Sequence, residues 1–132
     1  MRPITRNIAL ALAALALGLA PAAAVAAGGD DDDGEQRVAG TCTGGSTAKL
    51  KVKHDDGRIE AEFEVDQNRT GVTWKVRVHR NGKLVIKTRA TTTGRSGSFS
   101  VERKIGDPAG SDRVRARAVS PTGEVCKAAA TI

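Results

Sequence analysis

The chain has 132 residues, 21 Lys and Arg against 15 Asp and Glu, a net charge of +6, one tryptophan, two phenylalanines and no tyrosine. That length holds a single domain behind a short leader. The two cysteines and two histidines, Cys42, Cys126, His54 and His79, have no zinc-ligand spacing, and the scarcity of aromatics argues against a nucleic-acid partner that needs stacking platforms.

Arg2 and Arg6 precede Ile8–Ala20, an unbroken apolar run, and Ala24-Val25-Ala26-Ala27 supplies small residues for cleavage near Ala26 or Ala27. These features predict a signal peptide over 1–27 and secretion. The run is short of the about 20 residues a spanning helix needs, so no membrane contact is expected after cleavage. Residues 28–41 read as an acidic disordered leader carrying Asp30–Asp33 and Glu35. Its glycine sits wrongly for a calcium loop, because Gly34 would put the first and last ligands on Gly29 and Gly40. Setting aside Arg2, Arg6 and the five leader acids leaves +9 on residues 37–132. In an oxidising compartment the even cysteine count implies one bridge, Cys42–Cys126.

From residue 37 onward apolar and polar residues alternate between regularly spaced turn signals, as in an all-β sandwich. In 48–65, Ala48, Leu50 and Val52 alternate with lysines, and Ile59, Ala61, Phe63 and Val65 alternate with glutamates. A two-residue Asp56-Gly57 turn sets Val52 on Ala61, Leu50 on Phe63, and Lys53, Lys51 and Lys49 on Glu60, Glu62 and Glu64. In 72–78, Val72, Trp74, Val76 and Val78 share the core face, with Lys75, Arg77 and His79 behind them. For the following strand, 83–90, a three-residue Arg80-Asn81-Gly82 loop pairs Val78 with Leu84, Val76 with Ile86 and Trp74 with Thr88, keeping the apolar faces matched. Residues 91–98, TTTGRSGS, read as a flexible loop that lacks the lysine and helix of a phosphate loop. Phe99, Val101 and Ile105 then face inward, with Arg103 breaking the pattern. Val114, Ala116 and Ala118 face inward opposite Arg113, Arg115 and Arg117. A Pro121-Thr122-Gly123 turn pairs Cys126 with Ala118, Ala128 with Ala116 and Ala130 with Val114.

The stretch VTWKVRVHRNGKLV is similar to the tryptophan-bearing C strand of immunoglobulin domains, and DRVRARAVSPTGEV resembles the F–G hairpin of fibronectin type III domains. The resemblance spans residues 46–132 and implies an antiparallel sandwich of about seven strands, within a domain over 42–132. The cysteines do not sit on strands B and F, and no tyrosine corner is present. Both cysteines fall at one end of such a sandwich, which suits the proposed bridge. The chain also resembles small secreted proteins of high-GC bacteria, a likeness that implies no activity.

In that topology strands C, C′ and F share a sheet. Its outer face carries Lys75, Arg77 and His79, then Lys83, Lys87 and Arg89, then Arg113, Arg115 and Arg117, with Val85, Val119 and Val125 also outward. Such a face either keeps the domain soluble and blocks strand pairing, or binds anions. The functional reading assigns anion binding to Lys75, Arg77, His79, Arg113, Arg115 and Arg117, with an anionic cell-envelope or extracellular polymer, or an acidic protein, as partner. No catalytic residue, metal or cofactor is indicated, so the expected product is a secreted, non-enzymatic domain. The alternative is an exported inhibitor or protein-partner module acting through loop 91–98 or 106–112.

Overall fold

The computed structural model describes residues 34–132, so the signal-peptide reading and residues 28–33 of the acidic leader lie outside the described residues. Within them nine strands follow one another: β1 (Gln36–Ala39), β2 (Thr41–Cys42), β3 (Thr47–Asp55), β4 (Arg58–Asp66), β5 (Thr73–Arg80), β6 (Lys83–Thr91), β7 (Ser98–Gly106), β8 (Arg113–Val119) and β9 (Val125–Thr131). They form a four-stranded sheet ordered β1-β3-β4-β7 and a five-stranded sheet ordered β2-β9-β8-β5-β6, every pairing antiparallel. With β3, β4 and β7 as strands A, B and E, and β5, β6, β8 and β9 as C, C′, F and G, this is the immunoglobulin-like sandwich expected. The additional strands are β1 and β2.

The core lies between the sheets and follows from period-two alternation. Leu50, Val52, Ile59, Phe63 and Val65 from one sheet meet Trp74, Val76, Val78, Val114 and Ala118 from the other. Trp74 is 0% exposed. Its indole N–H donates to Gln67 Oε1 at 3.0 Å, and its ring centroid lies 6.0 Å from that of Phe99 at 54°. The polar end of the indole is thereby satisfied while its area is buried.

The β3–β4 hairpin has the register its charges dictate. Val52 opposes Ala61, Leu50 opposes Phe63, and the lysines face the glutamates. Asp56 and Gly57 both take positive φ, 49° and 71°, as a type I′ turn requires. Arg103 on β7 shares the core parity of Phe99, Val101 and Ile105 yet is exposed. Since β7 is a free edge, an inward-register charge there discourages another strand from adding.

The β5–β6 connection differs from expectation. Asn81 and Gly82, at φ 50° and 82°, form a two-residue turn that sets Arg80 opposite Lys83 and His79 opposite Leu84. A bulge at Val78/His79 then restores the facing, so that Val78 pairs with Ile86, Val76 with Thr88 and Trp74 with Ala90. The Asn-Gly sequence prefers the I′ turn because its twist matches the strands, and the extra residue is absorbed past the turn instead of within it. Leu84 is left 44% exposed, and Val85, expected outward, is half-buried against the core. Lys83 moves to the opposite parity at the hairpin tip.

Two segments expected to be unstructured are held. Gln36–Ala39, placed in the leader by sequence, pairs with β3. At Gly40 the chain crosses from one sheet to the other, where a Cβ would come within 2.7 Å of the Lys127 carbonyl and 3.0 Å of Ala48 Cβ, so only glycine fits. Loop 91–98, expected flexible, is bonded to 67–72. Gln67 N–H donates to Gly97 O at 3.0 Å, Thr70 Oγ1 to Gly94 O at 2.9 Å, and buried Thr92 exchanges backbone bonds with Gly71 and Val72.

The β8–β9 hairpin matches its expected register, with Ala118 on Cys126 and Val114 on Ala130. Ser120 N–H donates to Glu124 O at 2.9 Å across the three-residue turn. Cys42 and Cys126 face each other across β2 and β9 and are bonded, 84 residues apart in sequence. Loop 106–112 is fastened through Asn81, whose amide N–H₂ donates to buried Asp112 Oδ1 at 2.8 Å and whose Oδ1 accepts the Arg113 N–H at 2.9 Å. No helix among the described residues is long and apolar enough to cross a membrane.

Candidate anion-binding face

Strand alternation sends every second residue of β5, β6, β8 and β9 to the outer side of the five-stranded sheet. Those four strands contain ten Lys and Arg and no Asp or Glu. Their registers stack the cations. Lys127 lies opposite Arg117, Arg117 opposite Arg77, and Arg77 opposite Lys87. Four positive charges thus sit in one row across four neighbouring strands, a span of roughly 14 Å at about 4.8 Å per strand. One step along, Arg115 faces His79. One step the other way, Lys75 faces Arg89 and Val119.

Five of the six candidate residues, Lys75, Arg77, Arg113, Arg115 and Arg117, are exposed, and His79 is half-buried. A concavity of about 690 Å³ is lined by Arg77, His79, Arg113, Arg115, Arg117 and Lys127, together with small residues that include Ala39–Thr41, Val125 and Ala129. Long side chains of β8 and β5 stand on one side. Small residues of β9 and of the β1–β2 crossing leave the space beside them. Lys75 lies apart, in a second hollow of about 400 Å³ shared with Thr73, Arg89, Val119, Ser120 and Pro121. The expected strip thus divides, with Lys75 beside a different hollow from Arg77, Arg113, Arg115 and Arg117. Sequence reasoning missed Lys127, although the outward parity of β9 and the Arg117 register could have placed it beside those arginines. The crossing at Ala39–Thr41 left no signal, because its position depends on both sheet edges.

The electrostatics of the two outer faces differ. On the four-stranded sheet Lys49–Glu64, Lys51–Glu62 and Lys53–Glu60 approach to 3.7, 3.2 and 3.7 Å, and Lys104–Asp55 to 3.2 Å. Burial pushes the Glu62 carboxyl up, but the Lys51 bond and charge with the Ser100 hydroxyl outweigh it and hold the group below its ordinary value. Asp55 is lowered by its bond to Lys104 and then by that residue's charge. Glu35 is lowered chiefly by its bond to Arg37. On the five-stranded sheet the described residues supply no carboxylate within ion-pair distance of Arg77, Arg113, Arg115, Arg117 or Lys127. Like charges directly opposite one another destabilise a sheet, so this arrangement opposes folding unless an outside anion offsets it.

Arg58, Arg80 and Arg103 each donate a guanidinium N–H to a backbone carbonyl, of Lys104, Gly106 and Glu102. Among the described residues the four groove guanidiniums donate to no protein acceptor, which leaves their planar forks open to oxyanions. His54 lies on β3 of the other sheet, with its Nδ1 3.0 Å from Asp107 Oδ2. No group of three or more His, Cys, Asp or Glu side chains among the described residues could hold a metal ion. The two packed sheets carry the immunoglobulin-like reading at the level of fold; no finding supports the resemblance to secreted proteins of high-GC bacteria. No protein-family model, no curated protein and no solved structure matches this chain.

Proposed function

We propose that the protein is a secreted, non-enzymatic immunoglobulin-like module that binds an anionic polymer of the cell envelope or extracellular space through the outer face of its five-stranded sheet. The observation that supports this reading most directly is the in-register row Lys127–Arg117–Arg77–Lys87, bordered by Arg115, Arg113 and His79, with no carboxylate partner among the described residues. Solubility alone is served by interspersed charge of both signs, and the other sheet of the same molecule has that composition. Cations stacked on four adjacent strands instead concentrate positive potential over one concavity, and such focusing attracts and retains polyanions. The disulfide suits an oxidising, extracellular setting.

The test is retention of the purified protein on isolated cell envelope across a salt gradient. Exposed ion pairs are screened over about 8 Å at physiological ionic strength and about 3 Å at 1 M. Binding at low salt and release at high salt are therefore expected, with little retention of the Arg113→Ala/Arg115→Ala/Arg117→Ala variant at any salt. Retention that is indifferent to both salt and these substitutions overturns the proposal.

A further inference from the structure

The groove is more specific than a basic patch, and its chemistry narrows the class of occupant. This step rests on the polyanion reading above. Three features bear on it. The first is the choice of cation. On the paired sheet, carboxylates of the strands are met by lysines, Lys49, Lys51, Lys53 and Lys104, with Arg37 on the edge strand holding Glu35. In the groove four of the five Lys and Arg residues are arginines. Arginine presents a planar fork of donors, whereas lysine offers a strongly hydrated point charge. The second is pairing. Arg77 and Arg117 oppose each other on adjacent strands, at a Cα separation of about 5 Å. Two guanidiniums that close together can share one anion. A carboxylate presents its two oxygens in one plane at the end of a side group, while the two non-bridging oxygens of a phosphate diester project tetrahedrally from within the chain itself and can be met by guanidiniums on adjacent strands.

The third is the shape and lining of the space. The arginines of β8 recur at every second residue, about 6.6 Å apart along the strand, and form one wall. Beside them the surface is aliphatic and small, from Val125, Ala129 and Ala39. Charge held on one wall above such a strip suits a chain whose anions lie in its own backbone, separated by short uncharged spacers. Anions pendant from bulky rings would be held away from the wall. Trp74, Phe63 and Phe99 are all buried, so the face offers no tryptophan or phenylalanine ring as a stacking platform for a base. We infer that the groove takes a linear, base-free phosphodiester polymer, running along β8 and β9, with Arg77 and Arg117 gripping one phosphate and Arg115 and Arg113 the next positions along the chain.

The experiment compares four polymers of matched charge number at one ionic strength, by fluorescence anisotropy: poly(glycerol phosphate), poly-glutamate, a sulfated dextran and oligo-dT. The purified wild-type protein is set beside Arg77→Lys/Arg117→Lys, which keeps the charge and removes the forks. Unchanged melting temperature and circular dichroism confirm that the variant is folded. The expected result is that poly(glycerol phosphate) binds about tenfold more tightly than poly-glutamate, and that the lysine variant loses most of that ratio while retaining weak, salt-sensitive binding to both. Equal affinity for the phosphate and carboxylate polymers, or a ratio unaltered in the lysine variant, overturns the inference while leaving the polyanion reading intact. So does tighter binding of sulfated dextran or of oligo-dT than of the base-free phosphate polymer. Absence of binding to all four polymers at low salt sinks the underlying reading as well.

Discussion

The two outer faces of this sandwich are built from the same alternation and treat charge in opposite ways. On the four-stranded sheet a lysine column stands beside a glutamate column, and Lys49, Lys51 and Lys53 each meet a glutamate across the strand gap. On the five-stranded sheet arginine stands beside arginine and lysine. The first arrangement contributes to the fold, at roughly 0.2–1 kcal/mol per facing pair. The second works against it by amounts of the same kind. Both sheets share one core, so the stability to tolerate the second face is supplied elsewhere: by the common apolar layer, by the paired face, and by the disulfide that secures β2 to the five-stranded sheet. A surface that opposes its own folding is informative, because repulsion of that kind is relieved when a ligand of opposite sign binds.

This contrast can be broken in three ways, from the largest effect to the smallest. Replacing Cys42 and Cys126 by serine opens a loop with a sequence separation of 84 residues, and in the chain-entropy model lowers unfolding free energy by about 4 to 5 kcal/mol. Denaturant titration of the oxidised protein and the double variant measures it. The loss should free the 36–42 segment that bridges the sheets, and with it the small-residue side of the groove.

Charge reversal sharpens the comparison because the two faces should respond with opposite signs. Glu60→Lys on the paired face replaces attraction to Lys53 and to the facing Lys104 by repulsion and should destabilise by on the order of 1 kcal/mol. Arg117→Glu places an acid among Arg77, Lys127 and their neighbours and should stabilise by a comparable amount, while weakening polyanion binding. Chemical melts of the two single variants decide the matter. Loss of stability in both would mean that the arginine row is not repulsive.

The smallest effect is in acid. The folded-state carboxyls of Glu62 and Asp55 lie below their ordinary values of 4.5 and 3.8. Their contribution to stability is therefore complete above those values and is lost as pH falls below them, through the lowered folded-state values. The melting temperature should fall with acidification through this window, and the slope should flatten in Glu62→Gln and Asp55→Asn. It should be unchanged in Arg115→Ala, because β5, β6, β8 and β9 carry no carboxylate to titrate.

Much of the fold was legible because side-chain periodicity and charge reported the same register. In β3–β4 a slip of one residue would bury lysines and strand glutamates, so no competing alignment exists. The same held for β8–β9, where the outward arginines and inward alanines leave a single choice. The β5–β6 hairpin carried two conflicting instructions, a turn dipeptide asking for two residues and an apolar pattern asking for three. Sequence reasoning resolved the conflict inside the loop, and the chain resolves it with a bulge beyond the turn. The short strands β1 and β2 have no alternation to read. Their positions follow from which sheet edges are free on either side of Gly40, and only the assembled sandwich contains those edges.

The candidate face divides along the same line. That Arg113, Arg115 and Arg117 share a side, and that Trp74 points away from Lys75 and Arg77, was fixed by strand alternation, a property of the covalent chain once it is extended. That Arg117 stands beside Arg77 and Lys127, that Lys75 falls outside the groove, and that small residues of β9 and the Ala39–Thr41 crossing leave room beside the arginines, was decided by tertiary structure. The physical reason is range. Alternation acts between neighbours along one strand, whereas adjacency across strands depends on contacts between segments tens of residues apart, set by burial of the core they share.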